Sequence, residues 1–509
     1  MPESSPTQTI VMRQASIKAL KECLAGGYPV IAIETWEEES TLNTLTAFYN
    51  SVFKANGSMY IWDLQGGLCE HPSNTATPMN AVEALEKVQN SEKPGFFIFK
   101  DLSEHLSDTE IQRRIKNIHA SFRGKNKFLI LLGAQFTLPI ELNKDVILVD
   151  YKLPDINEIK FIVNDYLSAL TKRGVTNELT NDEIEQVYTS LKGFTSAEIR
   201  FSLNKACNGK KNLDRSILNT LHDEKEQLAK KDGVLEYVRG SETIEDVGGL
   251  ENLKDWLVKR RKLFTPEAAA AGLRPPRGLL MMGISGCGKS LSVKAISALW
   301  NLPLFRLDMN KVYSGAYGTP EGTFFRAIKT IEAVAPAILW IDEIEGGISS
   351  STAKDGSTGS HIFSAFLTWM QEKSSDVFVA ATANRIDLLP AEIIRKGRFD
   401  QVFFIDLPND SEREHIFKVH LQKRKNDLSQ FDLPLLSVAT ELWNGAEIEH
   451  AVEAAMIEAF SRGEKMSQDD LYTIIRSTVP LSRTMSEQIK FIKNWASERA
   501  VSASIADGK

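Results

Sequence analysis

The chain has 509 residues, of which 42% are hydrophobic and 25% charged. At about 150 residues per domain this length implies roughly three domains or two large ones, and the composition excludes a disordered chain, a collagen and a coiled-coil rod. A net charge of −7 argues against a protein that coats nucleic acid, although it leaves room for a local basic groove.

The longest apolar runs, such as Phe128 to Ala134, fall far short of the roughly 20 residues a membrane span needs. Met1 to Thr9 is polar and has neither part of a signal peptide. The scattered Cys23, Cys69, Cys207 and Cys287 fit no zinc spacing and read as free thiols in a reducing compartment. A cytoplasmic location follows as the default expectation.

In the first half, strands are expected at Tyr28–Glu34, Met59–Trp62, Phe96–Phe99, Lys127–Leu132 and Val146–Asp150, with helices such as Ala81–Val88 and Thr109–Phe122 between them. Continuous apolar strands alternating with helices imply a parallel sheet covered on both faces. Gly66 to Pro78 reads as a loop. From Asp155 to Lys230 the pattern is helical, and the charged run Glu224 to Asp232 reads as a solvated helix or linker. The second half repeats this order, with strands at Gly278–Met282, Leu304–Asp308, Ala337–Ile341, Val377–Thr382 and Val402–Ile405 and helices from Asp410 to about Thr478.

The halves also share words. Leu138-Pro139-Ile140-Glu141 answers Leu389-Pro390-Ala391-Glu392, Leu153-Pro154-Asp155 answers Leu407-Pro408-Asn409-Asp410, and Ala197-Glu198-Ile199 answers Ala446-Glu447-Ile448. Three matches in one order at a common offset indicate a duplicated unit.

The chemistry concentrates in the second half. Gly283-Ile284-Ser285-Gly286-Cys287-Gly288-Lys289-Ser290 fits G-x-x-x-x-G-K-[ST] between a strand and a helix that opens at Leu291. The glycines let backbone N–H groups curl around phosphate oxygens. Lys289 can reach the β- and γ-phosphates, Ser290 can ligate Mg²⁺, and the helix N-terminus favours the anion. The apolar run Ala337 to Ile341 ends in Asp342-Glu343. Asp342 would face the metal, and Glu343 would polarise water.

From about Thr243 to Thr478 the chain resembles the AAA-type ATPases. Thr243 to Leu250 is similar to the family's entry motif, Ala381-Thr382-Ala383-Asn384-Arg385 to its first sensor, Ile393 to Asp400 to its arginine-finger stretch, and Gly445-Ala446-Glu447-Ile448 to its lid helix. Leu367 to Lys373 and the divergent first half resemble, more narrowly, the AAA proteins of cyanobacteria and algal plastids (the hypothetical chloroplast reading-frame group) and their bacterial relatives.

The resemblance implies an α/β P-loop module, a parallel sheet sandwiched by helices with a helical lid, preceded by a degenerate AAA-like domain. It implies ATP and Mg²⁺ as cofactors, with Asp246, Val247 and Gly248 beside the adenine and Gly445 and Ala446 closing from the lid. Asn384 would position the attacking water. Arg395 and Arg398 would reach a neighbouring subunit's nucleotide, which requires an oligomer, a ring of six. The family's pore aromatic stands one place late here, at Tyr317. The Walker-B continuation Ile344-Glu345-Gly346-Gly347 is glycine-rich and reads as mobile.

The first half lacks these groups. Thr35-Trp36-Glu37-Glu38-Glu39-Ser40 has no glycine and no phosphate lysine, and its carboxylates would repel a triphosphate. Lys100-Asp101-Leu102 lacks the acidic pair, and Asn143-Lys144-Asp145 replaces the finger arginines.

The expected organisation is a nucleotide-dead domain at 1–235 (core about 25–152, helices about 153–230), an ATPase large subdomain at 236–408 and a lid at 409–480. A C-terminal helix and tail follow at 481–509. That helix, with Ile489, Ile492 and Trp495 on one face, is expected to pack on the lid, and the tail from Ser502 to fray. The expected function is Mg²⁺-dependent ATP hydrolysis coupled to remodelling or regulating a protein partner. The alternative is a nucleotide-gated scaffold without substrate threading. A nucleic-acid loader is disfavoured by the acidic charge, and a built-in protease by the lack of a His-Glu-x-x-His stretch.

Overall fold

The computed structural model describes residues 14–53, 56–71, 75–239, 242–264, 268, 270–346, 358–373, 376–395 and 397–505. They form two compact units, Met1–Leu221 and His222–Lys509, each taken by itself below.

The first unit is built on a seven-stranded sheet of β1 (Val30–Glu34), β2 (Ser58–Asp63), β3 (Gly67–His71), β4 (Thr75–Thr77), β5 (Gly95–Lys100), β6 (Lys127–Gly133) and β7 (Ile147–Asp150), in the order β4-β3-β2-β5-β6-β1-β7. The five strands β2-β5-β6-β1-β7 are parallel. Period-2 alternation divides their side chains between two cores, Phe97 and Phe99 on one face and Phe96 and Ile98 on the other. The stretch expected as a loop at Gly66 to Pro78 instead carries β3, antiparallel to β2, and β4, antiparallel to β3. Leu68 is buried there, and Trp62 Nε1 bonds Met79 O at 3.0 Å. One inward leucine in a polar run is too weak a periodic signal to announce a strand. A helical subdomain follows, with a two-residue parallel pair of β8 (Thr176–Asn177) and β9 (Asn212–Leu213).

The second unit carries β10 (Leu235–Val238), β11 (Gly278–Gly283), β12 (Leu304–Leu307), β13 (Ala337–Ile341), β14 (Val377–Ala383), β15 (Gln401–Ile405) and β16 (Val501–Ser502), in the order β10-β12-β13-β14-β11-β15-β16. Its parallel centre, β12-β13-β14-β11-β15, has the same order as the five parallel strands of the first unit. Leu339 and Ile341 face one core, Ile338 and Trp340 the other. The lid helices, from Asp410–Lys423 to Gln468–Ser477, have their own core around Phe417, Trp443 and Ile448.

Three expectations are corrected here. The run Glu224 to Asp232 lies in the helix Ser216–Asp232, where Lys225 and Ala229 are fully buried, so it is neither a linker nor a wholly solvated helix. The C-terminal helix, Ser486–Ser497, contributes Ile492 and Trp495 to the α/β core rather than to the lid core. The tail is not frayed at Ser502. β16 adds to the sheet edge, Ala503 is fully buried, and its N–H bonds Phe404 O at 2.9 Å.

Trp300 anchors the helix behind the phosphate-loop motif. Its ring lies 4.6 Å from that of Phe378, and its Nε1 donates to Leu257 O at 3.0 Å. Trp300→Ala should destabilise the second unit by about 3–5 kcal/mol, measured as a lower denaturant midpoint for that unit's unfolding.

Candidate functional site

β11 delivers the chain to Gly283, where φ is 150° and a Cβ would come within 2.0 Å of Ile405 O. Only glycine fits so close to β15. Gly286, at φ 79°, also passes close to the lid, since a Cβ there would stand 2.8 Å from the Asn444 side chain. The loop ends at Gly288, and the helix Lys289–Trp300 begins. Its N-terminal N–H groups and the loop amides form an anion-binding concavity.

Lys289 lies beneath this loop, donating from Nζ to Gly283 O at 2.9 Å and Ile284 O at 2.7 Å. Burial pushes its pKa down to about 8, against the pull of the nearby carboxylates Glu345, Asp342 and Glu343. The Cys287 thiol beside it is pushed up to about 12 by desolvation, so it is a neutral thiol at physiological pH.

Parallel pairing carries β13 and β14 to the same edge. Thr382, at the end of β14, donates its hydroxyl to Asp342 Oδ1 at 2.6 Å and accepts from the Glu343 N–H at 3.0 Å. Ser290 Oγ stands 3.4 Å from the same Asp342 oxygen. Asn384 Nδ2 donates to Glu343 Oε1 at 2.7 Å. Glu343 holds φ at 47°, a left-handed conformation that costs a non-glycine residue about 1 kcal/mol. The bonds from Thr382 and from Ile344 N to Thr382 O hold it there.

The turn after Glu343 is not loose through Glu345. Ile344 and Glu345 are buried, and Glu345 Oε1 accepts from the N–H groups of Asn384 at 2.7 Å and Arg385 at 3.0 Å. Glycines at Gly346 and Gly347 suggested mobility because the sequence does not show where the Glu345 carboxylate points. Gly347 lies outside the described residues.

A cavity of about 550 Å³ joins these groups. Ser285 through Leu291 line its floor, with Asp342, Glu343 and Asn384 at one end. Asp246, Val247 and Gly248 form the other end, with Gly445 and Ala446 from the lid. Ala446 N donates to Gly286 O at 3.0 Å, so the lid meets the loop directly. The lid helix also brings Ile416, His420 and Lys423 to the cavity, and Lys423 pairs with Asp246 at 2.9 Å. That contact holds the Asp246 carboxyl below its usual range. Gly283 and Ile284 lie beneath the cavity rather than in its lining.

The structure does not bring Arg395 or Arg398 into this cavity. Arg395 is exposed, and Arg398 Nη1 donates to Glu392 O in its own loop. Lys396 lies outside the described residues. Tyr317 is exposed, and its carbonyl accepts from Arg326 at 2.9 Å.

Ser290 and Asp342 place a hydroxyl and a carboxylate side by side, and two hard oxygen donors of this kind fit Mg²⁺, which keeps several waters. Thr382, Glu345, His420 and Lys423 were not singled out from sequence. The signal for the last two was present, because Glu412, Ile416, His420 and Lys423 recur at helical spacing and place polar groups on the face that holds Ile416.

A phosphate loop after β11 of a largely parallel sheet, two carboxylates at the end of β13 with β14 between the two strands, and a capping lid define a P-loop nucleoside-triphosphate-binding module of the AAA type. Residues 279–407 match the family described as ATPase family associated with various cellular activities (AAA). Residues 16–151 and 157–232 match the SpoVK-like AAA ATPase N-terminal and second domains. The chain is 36% identical over 482 residues to "Uncharacterized AAA domain-containing protein ycf46" of Trieres chinensis, covering 93% of this chain and 95% of that one. It is 36% identical over 493 residues to the protein of the same name from Pyropia yezoensis, covering 96% and 99%. A proteasome-activating nucleotidase of Thermococcus onnurineus is 29% identical over 289 residues, 54% of this chain and 70% of that one. The chain therefore belongs to the AAA ATPase family.

Two outcomes are expected from this geometry. Below about pH 8 Lys289 is charged and would attract phosphate. As pH rises through about 8 the free protein loses that charge, and binding must then take up a proton. Nucleotide affinity should fall by up to about tenfold per pH unit above 8, measured by calorimetry with the Glu343→Gln protein in buffers of different ionisation heat. Glu345→Ala leaves two amides without their acceptor and frees Asn384, so turnover should drop about tenfold or more with KM little changed.

Proposed function

We propose that the second unit binds ATP with Mg²⁺ and hydrolyses it, and that the cycle remodels or regulates a protein partner. The observation that carries this reading is the continuous hydrogen-bonded set Ser290, Asp342, Thr382, Glu343 and Asn384 at the end of a cavity floored by a phosphate loop. Lys289 and the loop amides would hold the β- and γ-phosphates, and Asp246 to Gly248 with the lid would enclose the base. Glu343, oriented by Asn384, takes a proton from water as the water oxygen bonds to the γ-phosphorus and the bond to the ADP oxygen breaks. Ser290 and Asp342 would hold Mg²⁺, which when bound would supply positive charge beside the phosphate oxygens.

Arg395 and Arg398 lie away from their own chain's cavity, which supports their acting on a neighbouring copy in a ring, six-membered on the family pattern. The name proteasome-activating nucleotidase supports partner-directed work. Among the described residues no helix is long and apolar enough to cross a membrane. A second reading, a nucleotide-gated scaffold, is favoured by the position of Tyr317, whose exposed ring rests beside Gly233.

Glu343→Gln should lower kcat by about 10²–10⁴-fold with ATP still bound. Light scattering of that protein with ATP and Mg²⁺ should show a ring that Lys289→Ala does not form. A monomer under every condition would remove the trans arginines and leave the scaffold reading. In the ring, Arg398→Ala should reduce turnover by roughly 10³-fold or more and leave ATP affinity intact.

A further inference from the structure

The two parallel sheets can be superposed by register alone. β6 and β14 are, in chain order, the fourth of the five parallel strands compared and run over Lys127–Gly133 and Val377–Ala383. Phe99 pairs with Leu131 as Ile341 pairs with Ala381, so Lys100 occupies the position of Asp342. Glu34 pairs with Gly133 as Met282 pairs with Ala383, so Glu34 answers Met282. The helices that follow open at Glu38 and Lys289. Glu38 opens its helix as the phosphate lysine Lys289 opens the other, and only Thr35, Trp36 and Glu37 replace the longer loop Gly283 to Gly288.

The charges are thus exchanged between the two positions. Where the second unit has Lys289 on the helix and Asp342 on the strand end, the first has Glu38 on the helix and Lys100 on the strand end, paired at 2.8 Å. The lid contact has changed in the same sense. In the second unit the lid helix Gly445–Ser461 gives the Ala446 N–H to the Gly286 carbonyl. In the first, the matching helix Ser196–Cys207, capped by Thr195 as the other is by Asn444, gives the Ser196 N–H to the carboxylate of Glu37. Glu37 is 5% exposed, and its own N–H is held by Thr35 Oγ1 at 2.9 Å.

We propose that the first unit is a self-liganded copy. Glu37 supplies the anion that fastens its lid helix, the Glu38–Lys100 pair closes the cleft floor, and the lid stays engaged whether or not ATP is present. A carboxylate at a helix N-terminus satisfies an amide and the helix dipole as a phosphate would. A tethered carboxylate does so without the entropy of capturing a ligand. Lys100 is then paired with Glu38 rather than free to attract a triphosphate.

The test uses the full chain. Hydrogen exchange across 195–201 should quicken about tenfold or more in Glu37→Ala and return partway in Glu37→Gln, whose carbonyl oxygen still accepts the amide. ATP turnover by the second unit should hold. Glu38→Lys and Lys100→Glu should each lower the first unit's unfolding midpoint, and the double exchange should recover most of the loss. Unchanged exchange in Glu37→Ala, or simply additive losses in the double exchange, would overturn the proposal. So would ATP-dependent protection of 195–201 in the Lys289→Ala background, where the second unit's phosphate lysine is gone.

Discussion

The chemistry of the second unit depends on the register between β13 and β14. Ile341 opposite Ala381 sets Asp342 and Glu343 beside Thr382, and one hydroxyl then serves both, donating to the Asp342 carboxylate and accepting from the Glu343 amide. Thr382 is 1% exposed, so neither bond competes with water. A one-residue slip would turn Thr382 to the other face and separate the carboxylates from Ser290. Buried alternation of Ile338 and Trp340 against Leu339 and Ile341 fixes that register, because each face has its own core to fill. Hydrophobic packing on the two faces thus fixes the register that sets the site distances at the strand ends.

The lid is joined to this frame through Glu412. One of its carboxylate oxygens accepts from the Leu250 amide at 3.2 Å and from Ser504 Oγ at 2.6 Å. The other accepts from the Asn409 amide at 3.0 Å as part of the lid's first capping box. The entry strap, the lid and the C-terminal tail therefore share one acceptor, and a shift of the lid helix acts on all three. Packing of the terminal helix through Lys493 and Asp406, 2.9 Å apart, adds a second tie at the end of β15.

The strands of both parallel sheets were legible as continuous apolar runs, and the site's Gly283 to Ser290 and Asp342-Glu343 were legible because their chemistry is local in sequence. Partners that meet only through the fold were less legible. Thr382 reads as one more strand residue, and Glu345 as a surface carboxylate in a glycine-rich turn. Lys423 reads as a solvated helix cation until the fold places Asp246 against it. The edge strands β3, β4, β10 and β16 also escaped notice, because a strand that pairs on one side with half its face in water needs few apolar residues. Val501 and Ser502 are both exposed, and the buried Ala503 beside them gives no periodic signal.

Duplication makes the two clefts a comparison within one chain. In both, parallel strands end where helix N-termini point, so the same backbone gathers the same partial positive charge. Some negative group must answer it. The second unit meets that demand with glycines that leave room, a lysine whose charge is expensive enough to hold that its pKa falls to about 8, and a carboxylate opposite. The first unit has the shorter elbow Thr35 to Glu37, and its carboxylates come from the chain itself. The first unit pairs its helix-start carboxylate Glu38 with the strand-end Lys100, whereas the second sets Lys289 near Asp342, Glu343 and Glu345. On the self-liganded reading proposed above, what differs is whether the balancing anion can leave, and only an anion that leaves would let occupancy move a lid.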